Sequence, residues 1–534
     1  MNRVIFSSLL ALALPIHLGA MTPVQYATSR PTIAVDATRP APAVPGKKKG
    51  KKTKASAKPA VSTTAHASTS RAVGAVGAVG ADALDAQFRS VLNRTGSKGK
   101  WGVIVISLSS GDTLFNHHGD DQLLPASTMK LFTSAMALDR FGVGGHFETE
   151  VLRAGAIGTD GTLRGDLILR GAGDPMLAGK ATDEAGEPPM EALARRISEA
   201  GIRRVSGTIV ADASAFEERR IPDGWKKKYL QAGYAARVSA LSFNENKITM
   251  IVRPDGDHAA VSFNPAVSGL PLSNEVKIEK GSRGSRISFK QDSTGTMIVR
   301  GTMGSLAPQR DLYFVVERPE LFAAGALRAA LISRGVTVDG ATVRAGRAVV
   351  DAPRVTSVAS PSLEKIVTQM NGESNNHFAE LLFRDVAHGS GSAGTAENAN
   401  VLLGRFLTEK ARVAPKAVFA ADGSGLSNLD RVTPRAMVQL LSYAKKTAWG
   451  PVFEASLPVA GRTETLRKRM KWTSAMGNLH AKTGTTNDVA SLGGYVTSKT
   501  GELLAFSFIY NGNDRWRAKD SMDQMGVALA SFSR

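Results

Sequence analysis

The chain has 534 residues, 43% of them apolar and 21% charged, enough for two to four folded domains and too apolar for a wholly disordered polymer. Lys and Arg outnumber Asp and Glu by 67 to 47, a formal net charge of +20, yet residues 1–80 hold eleven bases against the single acid Asp36 and so carry half of that charge. The rest of the chain is only mildly basic and makes no case for a specific nucleic-acid partner, while the absence of cysteine excludes disulfides, thiolate nucleophiles, zinc ribbons and iron–sulfur ligation.

Asn2-Arg3 precedes an apolar run from Val4 to Leu18 that is short for a bilayer span, followed by the small residues Gly19-Ala20. Residues 1–20 are therefore expected to be a secretory signal peptide and the protein to be exported to a periplasm, with membrane association through an uncleaved N-terminus as the alternative. Residues 21–80 are Pro, Ala, Ser, Thr and Lys with few large apolar side chains, and are expected to be a disordered basic tether because they cannot bury enough surface to offset ordering entropy. The cluster Lys47–Lys58 within it is a candidate contact for anionic wall or membrane polymers, against the plainer reading of a soluble linker.

Folded sequence is expected from Asp82, where Leu84, Phe88, Val91 and Leu92 share one helical face. Trp101–Leu108 and Thr113–His117 read as a hairpin across Ser109-Ser110-Gly111-Asp112. An amphipathic helix follows Pro125, with Leu131, Phe132, Ala135, Met136 and Leu138 as its buried stripe. Near the C-terminus three strands are expected at 478–483, 488–497 and 502–510, then a helix over 517–531. Strands from both chain ends can complete one antiparallel sheet covered by helices, an α+β fold. This predicts a discontinuous catalytic domain, residues 81–150 and 351–534, around an inserted β-rich region at 151–350 with two subdomains, the inner one near 239–302.

Ser127-Thr128-Met129-Lys130 opens the apolar helix, and a three-residue spacing puts the lysine amine beside the serine hydroxyl. A serine needs an adjacent base to become a nucleophile, and a desolvated lysine near other positive charge can be that base. Alone the pattern is common. Its weight comes from Ser374-Asn375-Asn376 and Lys482-Thr483-Gly484, because Ser-x-x-Lys, Ser-x-Asn and Lys-Thr-Gly are the signature set of β-lactamases and penicillin-binding proteins.

With 243 residues between Lys130 and Ser374, the chain resembles the D-alanyl-D-alanine carboxypeptidase/endopeptidase family of low-molecular-mass penicillin-binding proteins, the class with a large insertion between its first two motifs. Gly171-Ala172-Gly173-Asp174-Pro175 and Asp422-Gly423-Ser424-Gly425-Leu426-Ser427 agree with it. The resemblance covers residues 82–534 and implies a β-lactamase/DD-peptidase-like antiparallel sheet flanked by helices. It implies that Ser127 forms an acyl-enzyme with Lys130 as base, that Ser374 and Lys482 protonate the leaving amine, and that Asn376 holds the substrate amide and Lys130. Thr483, Gly484 and Thr485 belong to the substrate-binding strand: Lys482 and Thr483 hold the terminal carboxylate, and the N–H groups of Ser127 and Thr485 form the oxyanion hole. Lys482 is the rival base. Peptidoglycan stem peptides are the implied substrates and β-lactams the implied inhibitors, with no cofactor and no metal. A β-lactamase and a non-catalytic wall-binding scaffold are the alternatives.

Two patterns are decoys, and two aspartates have plainer readings. Lys499-Thr500-Gly501 repeats the third motif but sits between two apolar strands, where Thr-Gly is turn chemistry. Gly389–Gly394 fits a dinucleotide fingerprint in spacing only, because a helix rather than a strand is expected before it. Asp174 and Asp422 are read as structural residues of turns.

Overall fold

The computed structural model describes residues 80–94, 99–178, 186–292 and 294–534. The signal, tether and Lys47–Lys58 readings lie outside the described residues. A five-stranded, wholly antiparallel sheet runs in the order His480–Thr485, Val489–Thr497, Leu503–Gly512, Gly99–Ser107, Thr113–His117. Both chain ends thus build one sheet, and the Lys-Thr-Gly strand is its edge.

Each face of the sheet has its own helical cover. The helices Ala81–Arg94 and Arg515–Ala530 pack Leu84, Phe88, Val91, Met522 and Met525 on one side, together with Ala481 of the edge strand and Leu492 of its neighbour. On the other side lie the helices Met129–Phe141, Leu363–Glu373, Asn376–Gly389, Ala396–Glu409 and Pro434–Ala444, around a second core containing Leu131, Phe132, Met370, Phe383 and Met437. Since strand residues alternate between faces, placing Ala481 in the first core sends Lys482 toward the second, where the Met129–Phe141 helix stands.

In the chain between Phe141 and Leu363 lies a seven-stranded sheet containing Glu148–Ile157, Thr162–Arg170, Ile209–Asp212 and Arg354–Ala359, with the helices Pro189–Glu199 and Pro319–Ser333 in its core. Two three-stranded sheets follow within Lys247–Val315. The strand pairing makes the outer region wider than the expected 151–350 and places the inner one later in the chain than the expected 239–302. Arg354–Ala359 pairs antiparallel with Glu148–Ile157, so hydrogen bonding carries the region from Glu148 to Ala359, and the inner pair of sheets ends at Val315 instead of Thr302. All described residues fall in one compact unit.

Asp174 is buried against Asp385 of the Asn376–Gly389 helix, and burial pushes its carboxyl up to about 7. A Cβ on Gly173 would lie 1.9 Å from Asp385 Oδ1, which explains the glycine of that turn and supports a structural role for Asp174.

Candidate active site

Ser127 sits in the 3-10 turn Ala126–Thr128 that leads into the Met129–Phe141 helix. The turn is strained and tied down. Ala126 has φ +47°, a left-handed value that costs a non-glycine residue about 1 to 2 kcal/mol, and Pro125 O accepts hydrogen bonds from Thr128 Oγ1 at 2.8 Å and from Ser491 Oγ at 2.6 Å. Asn511 holds the preceding residue from the sheet, accepting from Leu124 N and donating to Leu124 O. Gly484 allows the edge strand to approach: a Cβ there would lie 3.0 Å from Ser127 N and 2.8 Å from Pro125 O.

Lys130 is fully buried, and its Nζ donates to Ser127 Oγ at 3.1 Å, Asn376 Oδ1 at 2.6 Å and Ser424 O at 2.8 Å. Three acceptors use all three ammonium hydrogens, which aims the amine at the hydroxyl. Burial pushes the Lys130 amine down to about 7, partly opposed by the carboxylates of Asp422, Glu380 and Asp430. Across the cleft Lys482 is also fully buried and donates to Ser374 Oγ at 2.8 Å and Thr483 O at 3.0 Å. Burial and then the neighbouring Lys130 charge hold its amine well below the usual lysine range.

Ser374 lies between two helices in a left-handed conformation, φ +61° and ψ 40°, ending Leu363–Glu373. Asn375 then caps Asn376–Gly389 by accepting from Phe378 N, and its Nδ2 donates to Glu245 Oε2 at 2.9 Å. Glu245 belongs to the run Asn244–Asn246, all at positive φ, so the Glu148–Ala359 region braces the second motif directly.

Sequence reasoning found the residues brought together here, Ser127, Lys130, Ser374, Asn376 and Lys482, but not their surroundings. The cleft, about 320 Å³, is also lined by Tyr229, Tyr234, Leu426, Thr486, Asn487 and Arg515. Thr485 lines it as well, whereas Thr483 Oγ1 donates to Thr465 Oγ1 at 3.0 Å on the strand's outer rim. Tyr229 and Tyr234 reach in from Lys227–Ala235, where no periodicity marks them. That segment is fastened by Trp225 Nε1 donating to Asp422 Oδ2 at 2.7 Å and by Lys226 paired with Asp488 at 2.9 Å. Asp422 accepts in addition from Ser424 N, Gly425 N and Ser427 N, so the turn reading is right and incomplete: the turn exists to present Ser424 O to Lys130. Glu380 Oε1 accepts from the same Ser424 N at 3.0 Å, while its Oε2 accepts from the buried Arg384. The decoy Lys499 is exposed at the turn between two strands, and Gly389–Gly394 joins two helices.

Fold and cleft together define a serine-type hydrolase of α+β architecture. The model of the D-Ala-D-Ala carboxypeptidase 3 (S13) family matches residues 84–532, and the chain belongs to that family. A D-alanyl-D-alanine carboxypeptidase of Actinomadura sp. (strain R39) is 33% identical over 448 residues, 81% of each chain. The D-alanyl-D-alanine carboxypeptidase DacB of Haemophilus influenzae is 24% identical over 422 residues, 77% of this chain and 85% of that one. The crystal structure of penicillin binding protein 4 (dacB) from Haemophilus influenzae superposes with a TM-score of 0.69 at 23% identity, covering 83% of this chain and 98% of that one, which establishes the shared fold.

Proposed function

We propose that the protein cleaves the D-Ala-D-Ala terminus of peptidoglycan stem peptides, and the corresponding bond in cross-linked stem peptides, through an acyl-enzyme on Ser127. The observation that carries this reading is the fully buried Lys130 amine, 3.1 Å from Ser127 Oγ, in a cleft shared with the Lys482–Ser374 pair. Lys130 takes the hydroxyl proton as Oγ bonds to the carbonyl carbon. The negative oxygen that forms is held by the N–H groups of Ser127 and Thr485, each worth about 3 to 4 kcal/mol in comparable hydrolases. Ser374, hydrogen-bonded to Lys482, passes a proton to the leaving amine as the C–N bond breaks. Asn376 orients the acyl side-chain amide, Thr483 and Lys482 hold the terminal carboxylate, and water releases the acid. Lys130 is preferred to Lys482 as base because its amine is the one hydrogen-bonded to Ser127 Oγ, at 3.1 Å, whereas Lys482 is hydrogen-bonded to Ser374.

The region from Glu148 to Ala359 is assigned as an insertion that roofs the cleft with Tyr229 and Tyr234. Export to the periplasm fits a wall substrate, and none of the described helices is long and apolar enough to cross a membrane.

Intact mass after incubation with benzylpenicillin tests the function. A persistent single adduct together with D-alanine release from a D-Ala-D-Ala peptide is the expected result. Rapid loss of antibiotic without an adduct would make the protein a β-lactamase, and an inert protein would make it a scaffold.

The pH dependence of that acylation follows from the site. The base must be neutral, and Lys130 loses its proton near 7, so the second-order rate should rise through about pH 7. Glu380 favours the ammonium form, hence Glu380→Gln should move this limb to lower pH. Acylation rates from pH 5 to 9 check it, and a limb that stays in place or moves upward contradicts the assignment of Lys130 as base.

A further inference from the structure

The segment Pro458–Trp472 is attached to the upstream end of the Lys-Thr-Gly strand. Val459 forms a bridge with His480, Ala481 N donates to Pro458 O, Ala460 N donates to Leu479 O, and Thr465 Oγ1 accepts from Thr483 Oγ1. Leu466 and Met470 are buried and fix the segment from within. Its outer side is basic. Arg462, Arg467, Lys468 and Lys471 are exposed, and none of the four has an ion pair or side-chain hydrogen bond among the described residues. Arg469 is neutralised by Asp523 at 2.6 Å, and Glu464 is the single carboxylate of the segment. Half-buried Lys519 of the adjoining Arg515–Ala530 helix has its amine lowered by burial first and then by Arg469 and Arg515. Trp472, 87% exposed, ends the segment.

We propose that this basic segment binds the leaving side of a cross-linked substrate, an anionic peptide chain that continues past the terminal-carboxylate site. The inference rests on the proposed function, which puts the substrate carboxylate at Thr483. A leaving D-alanine ends there and does not reach the segment. A leaving diamino acid carries a whole stem peptide with further carboxylates, and the strand's upstream end directs it over Arg467 and Lys468. The segment therefore separates the two activities that share one acylation step, favouring cross-link cleavage through charge outside the chemistry.

The test uses the full chain, its Arg467→Ala/Lys468→Ala variant and its Arg467→Glu/Lys468→Glu variant, with kcat/KM measured on a D-Ala-D-Ala monomer peptide and on a cross-linked dimer at low and high salt. Acylation by benzylpenicillin reports that each variant is folded. The alanine variant should lose about tenfold or more on the dimer, stay within about twofold on the monomer, and show a flattened salt dependence on the dimer, with the glutamate variant losing more. Equal losses on both substrates, or no loss on the dimer, overturn the proposal. A native protein active on the monomer and inert on the dimer also overturns it while leaving the proposed function standing, whereas inactivity on both substrates removes the proposed function itself. Loss of binding to a polyphosphate chain with unchanged dimer kinetics would reassign the segment to anionic polymers and likewise overturn it.

Discussion

Ser127→Ala should abolish the benzylpenicillin adduct and lower D-alanine release at least about 10⁴-fold, because among the described residues no second nucleophile is hydrogen-bonded to Lys130 to replace Oγ, and acyl transfer to water must then proceed on binding and oxyanion stabilisation alone. Lys130→Met should cost about 10² to 10⁴-fold in acylation, the usual worth of a positioned general base. The two effects should not add. With Oγ gone the amine has nothing to deprotonate, so the double variant should match Ser127→Ala within about threefold. Stopped-flow acylation and intact mass read all three. If Lys482→Met removed acylation while Lys130→Met left it within about tenfold, the base would be Lys482 and the hydrogen bond from Lys130 to Ser127 would be structural.

The elements legible in the sequence were those whose signal is local. The face Leu84, Phe88, Val91 and Leu92 is the buried face of the first helix, and the hairpins at both chain ends fall within a few residues of their expected limits. The three motifs were legible as patterns whose residues the fold brings together. What the sequence could not display depends on pairing or strain between distant segments. Glu148–Ile157 and Arg354–Ala359 are about 200 residues apart, and nothing in either announces that they are neighbours in a sheet. Ala126 and Ser374 hold left-handed conformations that alanine and serine do not advertise. Tyr229 and Tyr234 enter the cleft from a segment without periodicity. Glu380 acts on Lys130 from a helix interior, where a carboxylate reads as an ordinary surface residue until its burial is known.

Gly425 joins strain and catalysis, and its substitution should also slow acylation. Its φ is +82°, and a Cβ there would lie 1.8 Å from Ala126 O, 2.3 Å from Ala126 C and 3.1 Å from Met129 Cβ. The Ser424-Gly425 turn and the Ala126-Ser127 turn thus pack backbone to backbone. One supplies the carbonyl that Lys130 grips; the other carries the nucleophile. Gly425→Ala cannot be absorbed by a flexible side chain, because the obstructing atoms are main chain, so one turn must move by roughly 1 Å, a displacement that costs about 10²-fold in a positioned reaction. Acylation should fall by at least that factor, with loss of thermal stability as well. Gly391→Ala separates strain from position: Gly391 has φ +81° but open space around its Cβ, so the variant should lose only about 1 to 2 kcal/mol of stability and keep full acylation. If the two variants lost stability alike and both acylated normally, the contact between Gly425 and Ala126 would have no part in holding Ser127, and the placement of the nucleophile would fall to Pro125, Asn511 and Gly484.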